Sequence, residues 1–162
     1  QQGDIGYPMS IPSFRHRGER IRSVEWDARA GTGRVTLDLA PAYPDDIDMV
    51  DYTREFLFRP ERRLVCRDCV AFETPHRLSW LFQTRRQHGM RLESGLRCRI
   101  GDGPTLWIEP HAAEGLPLSA SVRETDVVWS YASPVDFVPF DHVRYETETP
   151  TSRAAVEFVM TW

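Results

Sequence analysis

Apolar and polar residues alternate along much of the chain with a period of two. In segment 96–100 a leucine, a cysteine and an isoleucine alternate with two arginines, and the apolar residues of segment 34–39 share one face. In segment 142–147, Val143 and Tyr145 share one face and charged residues share the other. This period is that of β-strands with one buried face. The pattern therefore predicts strands rather than helices through most of the chain.

Turn residues divide the alternating segments into about ten or eleven strands. Asp102-Gly103 separates two such segments and predicts a β-hairpin. The only helix-like stretch, segment 40–52, contains Pro41 and Pro44, so we expect no more than a short turn there. Short strands at this spacing predict an all-β fold, an antiparallel β-sandwich with two stacked sheets. The predicted strands lie near residues 20–27, 33–40, 49–59, 63–72, 76–84, 89–93, 95–101, 104–109, 119–131, 141–148 and 152–162.

The beginning of the chain differs from the rest because glycine and proline recur through it. We expect residues 1–18 to form an irregular arm from a missing upstream region, and residues 19–162 to form one sandwich domain. The start at Gln1 carries neither an initiator methionine nor a signal pattern, which predicts a cut inside a longer chain. The C-terminal end fits either a true chain end or a second cut.

Charge and composition exclude some functional classes. The net charge of -4 gives no electrostatic case for nucleic acid. No run of about 18 apolar residues predicts a transmembrane helix, so no membrane partner is expected. All 20 basic residues are arginines. Genomic composition bias and selection for bidentate binding of carboxylate or sulfate both explain this preference, and the sequence does not separate them.

Two features of the sequence superficially suggest metal binding. Cys66 and Cys69 form a Cys-x-x-Cys pair, with Cys98 as the third cysteine. Residues three apart in a strand point to opposite faces, so we expect the cysteines to pack in the core rather than share a metal. The acidic segment 45–48 lacks the glycine and final glutamate of an EF-hand loop and predicts a solvated turn. No metal or other cofactor is expected in this chain.

Four pieces follow one another in segment 35–85. An Asp-Leu-x-x-Ala-Tyr segment, residues 38–43, leads to a strand headed by Arg54. A hydrophobic strand ending in Asp68 follows, and then a strand containing Trp80. In their order and spacing, more than in any single motif, these pieces resemble the second half of the β domain of heparinase II/III-like polysaccharide lyases.

The resemblance implies a fold and an activity. These lyases cleave acidic, uronate-containing polysaccharides by β-elimination, which needs carboxylate neutralisation, a base and a proton donor. Their His-x-Asp and His-Asn segments, which serve metal binding or site organisation, lie upstream of the matching part. None of the five histidines here stands in such a context: His16, His76, His88, His111 and His142.

The resemblance therefore implies a C-terminal, non-catalytic part of a lyase, without activity on its own. Its expected partners are the upstream catalytic region of the same parent protein, which can carry a structural metal, and an acidic polysaccharide. A periplasmic or secreted location is implied as well.

Three of the residues that match the family are predicted to be structural. Arg54 could pair with Asp68 on the next strand and fix its register where both are partly buried. The alternative is a solvated surface arginine. Trp80 alternates with polar and apolar neighbours, which favours a core anchor over a platform for sugar stacking.

Candidate carbohydrate contacts lie near the expected junction with the catalytic half. Arg15, His16 and Arg17 form a basic triplet in the arm that suits a sulfated or uronate sugar. A solvated basic loop is the simpler interpretation of this triplet. Tyr43 is a further candidate, although a tyrosine at this place also fits the packed corner of a sandwich.

Two other functions compete with the lyase interpretation. An autonomous carbohydrate-binding sandwich would need exposed aromatic residues on one face. Trp26, Trp107 and Trp129 are the candidates, but their apolar neighbours predict core burial for all three. A purely structural or interaction module would instead pair an exposed strand edge with its parent domain.

Overall fold

The computed structural model describes residues 20–43, 47–85, 88–113, 115–125 and 140–162. These ranges contain eleven strands and a short 3-10 turn, Ala40–Ala42, where a short turn is predicted. In the described ranges, no helix is long and apolar enough to cross a membrane. The strands are β1 Arg20–Asp27, β2 Thr32–Asp38, β3 Met49–Arg59, β4 Arg63–His76, β5 Ser79–Arg85, β6 Met90–Leu92, β7 Cys98–Ile100, β8 Leu106–Ala112, β9 Leu118–Thr125, β10 Phe140–Thr147 and β11 Thr151–Thr161.

The strands form two antiparallel sheets of very different size. The large sheet has the order β1-β2-β3-β4-β11-β8-β7-β6, and the small sheet has the order β5-β10-β9. This arrangement confirms the predicted all-β sandwich. Both sheets contribute side chains to one hydrophobic core, which lies between their facing surfaces.

The centre of the core is aromatic. Phe158 on β11 and Tyr145 on β10 are both fully buried, with ring centroids 5.3 Å apart. Phe82 on β5 packs edge-on against Phe158 at 4.8 Å. Burial of such large rings removes much apolar surface from water and is the main force holding the two sheets together.

The predicted alternation is present in the strands. Every second residue of β10 is buried. Around β7, Cys98 and Ile100 are buried while the alternating Arg97 and Arg99 are not. The predicted boundary between segments 63–72 and 76–84 is wrong, because β4 continues to His76 and β5 begins only at Ser79. The predicted arm 1–18 and the end of the predicted strand 119–131 lie outside the described residues.

The small sheet covers only part of the large one. It packs over β4 and β11, where Trp80 reaches Asp68 and Phe82 reaches Phe158. Register places the inward side chains of β1, β2 and β3 in the same rows as buried residues of β4 and β11. Several of these inward side chains are nevertheless exposed, and no described strand of the small sheet lies over them. They form what we term the uncovered apolar face: Ile21, Val24, Trp26 and Phe58.

Candidate functional site

A buried carboxylate stands at the centre of the residues that the sequence singles out. Asp68 on β4 has no solvent exposure. Its Oδ1 accepts a hydrogen bond from Arg54 Nε at 2.7 Å, and its Oδ2 accepts one from Arg54 Nη2 at 2.6 Å. Tyr52 Oη and Trp80 Nε1 also donate to Oδ2, at 3.0 and 2.9 Å. These four residues form the Asp68 hub.

Strand register explains why these side chains meet. Arg54 on β3 is the direct cross-strand partner of Asp68, and Tyr52 lies two residues earlier on the same face. Trp80 approaches from the small sheet, so the hub joins the two layers. Since every oxygen of the carboxylate has a donor, the cost of burying its charge is offset. The predicted contact between Arg54 and Asp68 is present, while a structural role for these residues and for Trp80 stays a prediction.

The pKa values of the tyrosine and the arginine in the hub are raised. Burial first, and then the negative charge of Asp68, raises the pKa of Tyr52 far above its ordinary value. The hydrogen bond to Asp68 raises the pKa of Arg54 further. Tyr52 is thus a neutral donor and Arg54 a permanent cation at physiological pH. Neither can remove a proton from a substrate, so the arrangement suits a fixed structural joint rather than acid–base chemistry.

A small cavity of about 150 Å³ opens beside the hub. Its lining includes Tyr52 and Trp80 of the hub, together with Tyr43 and Arg77. The Tyr43 ring stands 5.7 Å from that of Tyr52 and is 38% exposed. Burial raises the pKa of Tyr43 as well. Tyr43 therefore packs at a corner of the sandwich while its ring remains accessible, and its contact with a sugar stays a prediction.

A second polar cluster was not predicted from the sequence. Asp48 accepts hydrogen bonds from Thr74 and contacts the ring of His76. The hydrogen bond from the Thr74 side chain holds the pKa of Asp48 below its ordinary value. Asp48 precedes β3 and its side chain is partly exposed, so this part of the predicted solvated turn has polar partners at the end of β4. β4 extends to His76 because His76 pairs with Thr151 on β11.

The tryptophan candidates do not behave as predicted. Trp26 is 66% exposed, so its predicted core burial is wrong. The apolar face of β1 lies beyond the small sheet, and local sequence carries no signal of that. Trp107 is half-buried on the face opposite the core, with the Arg97 guanidinium 3.9 Å from its ring centroid. Trp129 lies outside the described residues.

The remaining candidates divide between the core and the undescribed part of the chain. Arg15, His16 and Arg17 lie outside the described residues, and their role stays a prediction. Cys66 is buried and Cys69 exposed, which confirms that they point to opposite faces. The predicted core packing is thus confirmed for Cys66 and Cys98 and wrong for Cys69. Burial raises the pKa of the Cys66 thiol to about 12. In the part of the chain that the structure describes, no group of three or more His, Cys, Asp or Glu side chains is placed to hold a metal ion.

Comparison with solved structures identifies the architecture. The chain superposes on heparan sulfate lyase HepC from Pedobacter heparinus with a TM-score of 0.66, over 88% of this chain and 22% of that chain, at 16% identity. It superposes on heparinase III with a TM-score of 0.65, over 88% of this chain and 21% of that chain, at 9% identity. The chain therefore shares its fold with part of these lyases.

These similarities confirm the resemblance seen in the sequence at the level of the fold. The chain spans about a fifth of the length of the solved lyases that it matches. No protein-family model and no curated protein matches it by sequence. The similarity is thus one of fold, at 9–16% sequence identity.

Proposed function

We propose that this chain is the non-catalytic C-terminal β-sandwich portion of a heparinase II/III-like polysaccharide lyase. The observation that carries the proposal is the asymmetry of the structural match: 88% of this chain corresponds to 22% of the lyase HepC. Two stacked sheets are thus present, while most of the lyase chain has no counterpart here. The parent protein would cleave an acidic, uronate-containing polysaccharide by β-elimination.

The polar chemistry of the hub supports a scaffolding role. Proton abstraction from a uronate needs a base whose pKa lies near the working pH. The two tyrosines nearest the cavity, Tyr43 and Tyr52, both have raised pKa values and remain protonated. Arg54 and Asp68, on neighbouring strands of the large sheet, neutralise each other, and Asp68 also accepts a hydrogen bond from Trp80 of the small sheet.

The uncovered apolar face supports an upstream partner. Val24 and Trp26 are 64% and 66% exposed, although they lie in the same rows as the inner core. Within the described strands, β5 is the edge of the small sheet on the side of β3. Strands added at this edge would lie over β1–β3 and complete the second layer. The occupant that fits is an apolar β layer from the upstream part of the parent protein.

An activity assay on two forms of the protein tests this function. The isolated chain and the longer protein that contains it would each be incubated with heparan sulfate, and release of unsaturated uronate would be followed by ultraviolet absorbance. We expect product from the longer protein and none from the isolated chain. Product formation by the isolated chain would overturn the proposal, and so would an inactive longer protein that cleaves no acidic polysaccharide.

One observation favours a second candidate, an autonomous carbohydrate-binding sandwich. The exposed indole of Trp26 lies at the edge of a shallow depression also lined by Arg34 and Arg59. Exposed aromatic rings beside arginines can bind acidic sugars. Quenching of tryptophan fluorescence by acidic oligosaccharides, abolished in Trp26→Ala, would favour this function over a docking face.

A further inference from the structure

A row of arginines crosses the outer face of the large sheet. Cross-strand register aligns Arg59 with Arg63, then Thr161, Trp107, Arg99 and Arg91, across six neighbouring strands. The flanking residues Ile108 and Cys98 are buried in the core, so this row points the opposite way. We propose that this arginine row binds a linear sulfated or carboxylated polysaccharide laid across the strands.

The charges of the row are largely available to a ligand. Arg91 contacts Glu93 and Asp102 at 3.3 and 3.9 Å. Among the described residues, no carboxylate pairs with Arg59, Arg63 or Arg99. In contrast, Arg67 on the same face contacts Glu55 and Glu157. Arg67 therefore differs from the arginines of the row. Its charge is paired with carboxylates of the same sheet, whereas the row leaves positive charge facing solvent.

Trp107 organises the centre of the row. The Arg97 guanidinium stacks 3.9 Å from its ring centroid, and that of Arg99 lies at 6.0 Å. Arg97 Nε is buried, and it has no hydrogen-bond partner in the described part of the chain. The aromatic ring therefore holds Arg97 in place of a carboxylate, which keeps its positive charge uncompensated. Arginines fixed in this way lose less conformational entropy when they bind an oxyanion.

The shape of the row fits an extended polymer. Neighbouring strands lie about 4.8 Å apart, so six strands spread the guanidinium groups over roughly 24 Å. A compact anion would contact only one pair of these arginines. A chain carrying sulfates or carboxylates at regular intervals could contact both ends of the row, because guanidinium binds either group bidentately.

Nucleic acid fits the row less well. Unspecific single-strand binding uses open aromatic rings on which bases stack, and Arg97 already occupies a face of Trp107. The row lies on the opposite face of the large sheet from the uncovered apolar face, so binding here does not depend on the proposed docking of an upstream region.

Calorimetric titration of the isolated chain with size-defined heparin fragments tests the inference. We expect Arg63→Gln and Arg99→Gln each to weaken binding about 5-fold to 10-fold, and the double variant roughly 50-fold. Arg153→Gln is the matched control, because Arg153 is an exposed arginine on the same face near the start of β11. Its effect should be below about 2-fold, and affinity should fall as salt increases.

Three results would overturn the inference: no heparin binding at low salt, an unchanged affinity in the double variant, or an equal loss of affinity in Arg153→Gln. Circular dichroism of each variant would show that it is folded. Competition by single-stranded DNA as strong as by heparin would point to a general polyanion surface and against the proposed ligand. A longer protein without lyase activity would leave these binding results unaffected, so the two proposals can fail separately.

Discussion

At the scale of single residues, Asp68 is the most deeply buried carboxylate among the described residues. It receives hydrogen bonds from Arg54, Tyr52 and Trp80, which come from both sheets. A buried pair of this kind contributes modest stability when intact, but removal of one partner leaves the other charge uncompensated. We therefore expect the hub to specify how the two sheets align more than it adds to the free energy of folding.

Replacing the charge of the hub tests this view. Asp68→Asn keeps the size of the side chain but leaves Arg54 as an unpaired, partly buried cation and places an amide donor among donors. We expect the free energy of unfolding to fall by about 3–5 kcal/mol, measured by urea denaturation.

Asp51→Asn is the control for this substitution. It makes the same chemical change on β3, in an exposed ion pair with Arg22 at 3.4 Å, and should cost less than about 1 kcal/mol. A similar small loss for Asp68→Asn would show that the hub is dispensable.

At the scale of elements, sequence periodicity predicted the strands well and their environment less well. The alternation in β10 and around Cys98 identifies strands because the pleat itself imposes a period of two. The exposure of Trp26 was not predictable, because it depends on how far the opposite sheet extends rather than on the neighbouring residues in the sequence. The contact between Asp48 and His76 was also missed, since it joins the residue before β3 to the end of β4, which no local pattern marks.

The β1–β2 hairpin contains a cross-strand pair that depends on a glycine. Trp26 is paired with Gly33, and a Cβ added at Gly33 would lie 2.3 Å from Cε3 of the indole. The ring of Trp26 also contacts Phe58 edge-on, at a centroid distance of 6.4 Å. The absence of a side chain at Gly33 therefore lets the indole lie against the sheet.

We expect Gly33→Ala to displace the Trp26 indole from Phe58. The near-ultraviolet circular dichroism should change, and stability should fall by about 1 kcal/mol relative to Gly103→Ala. Gly103 has open space around it, so its substitution reports only the entropic gain from losing a glycine. Equal stability and unchanged spectra in the two variants would contradict the described packing of Trp26.

At the scale of the whole molecule, the two sheets formed by the described residues differ greatly in extent. The large sheet has eight strands and the small sheet three, and the inward residues of β1 lie beyond the small sheet. Solved heparinases that share this fold are about five times longer than the matching part. Our account is that an upstream layer completes the sandwich, while the hub aligns the part already present.

The stability effect of Val24→Ser in two contexts tests this account most directly. Val24 is 64% exposed in the isolated chain, so the substitution should change its melting behaviour by less than about 0.5 kcal/mol. In the longer protein we expect a loss of roughly 2 kcal/mol in the transition of this domain, because Val24 would be buried there. Leu81→Ser, at an exposed position on the outer face of β5, should have a small effect in both contexts. An equally small effect of Val24→Ser in the longer protein would contradict the account.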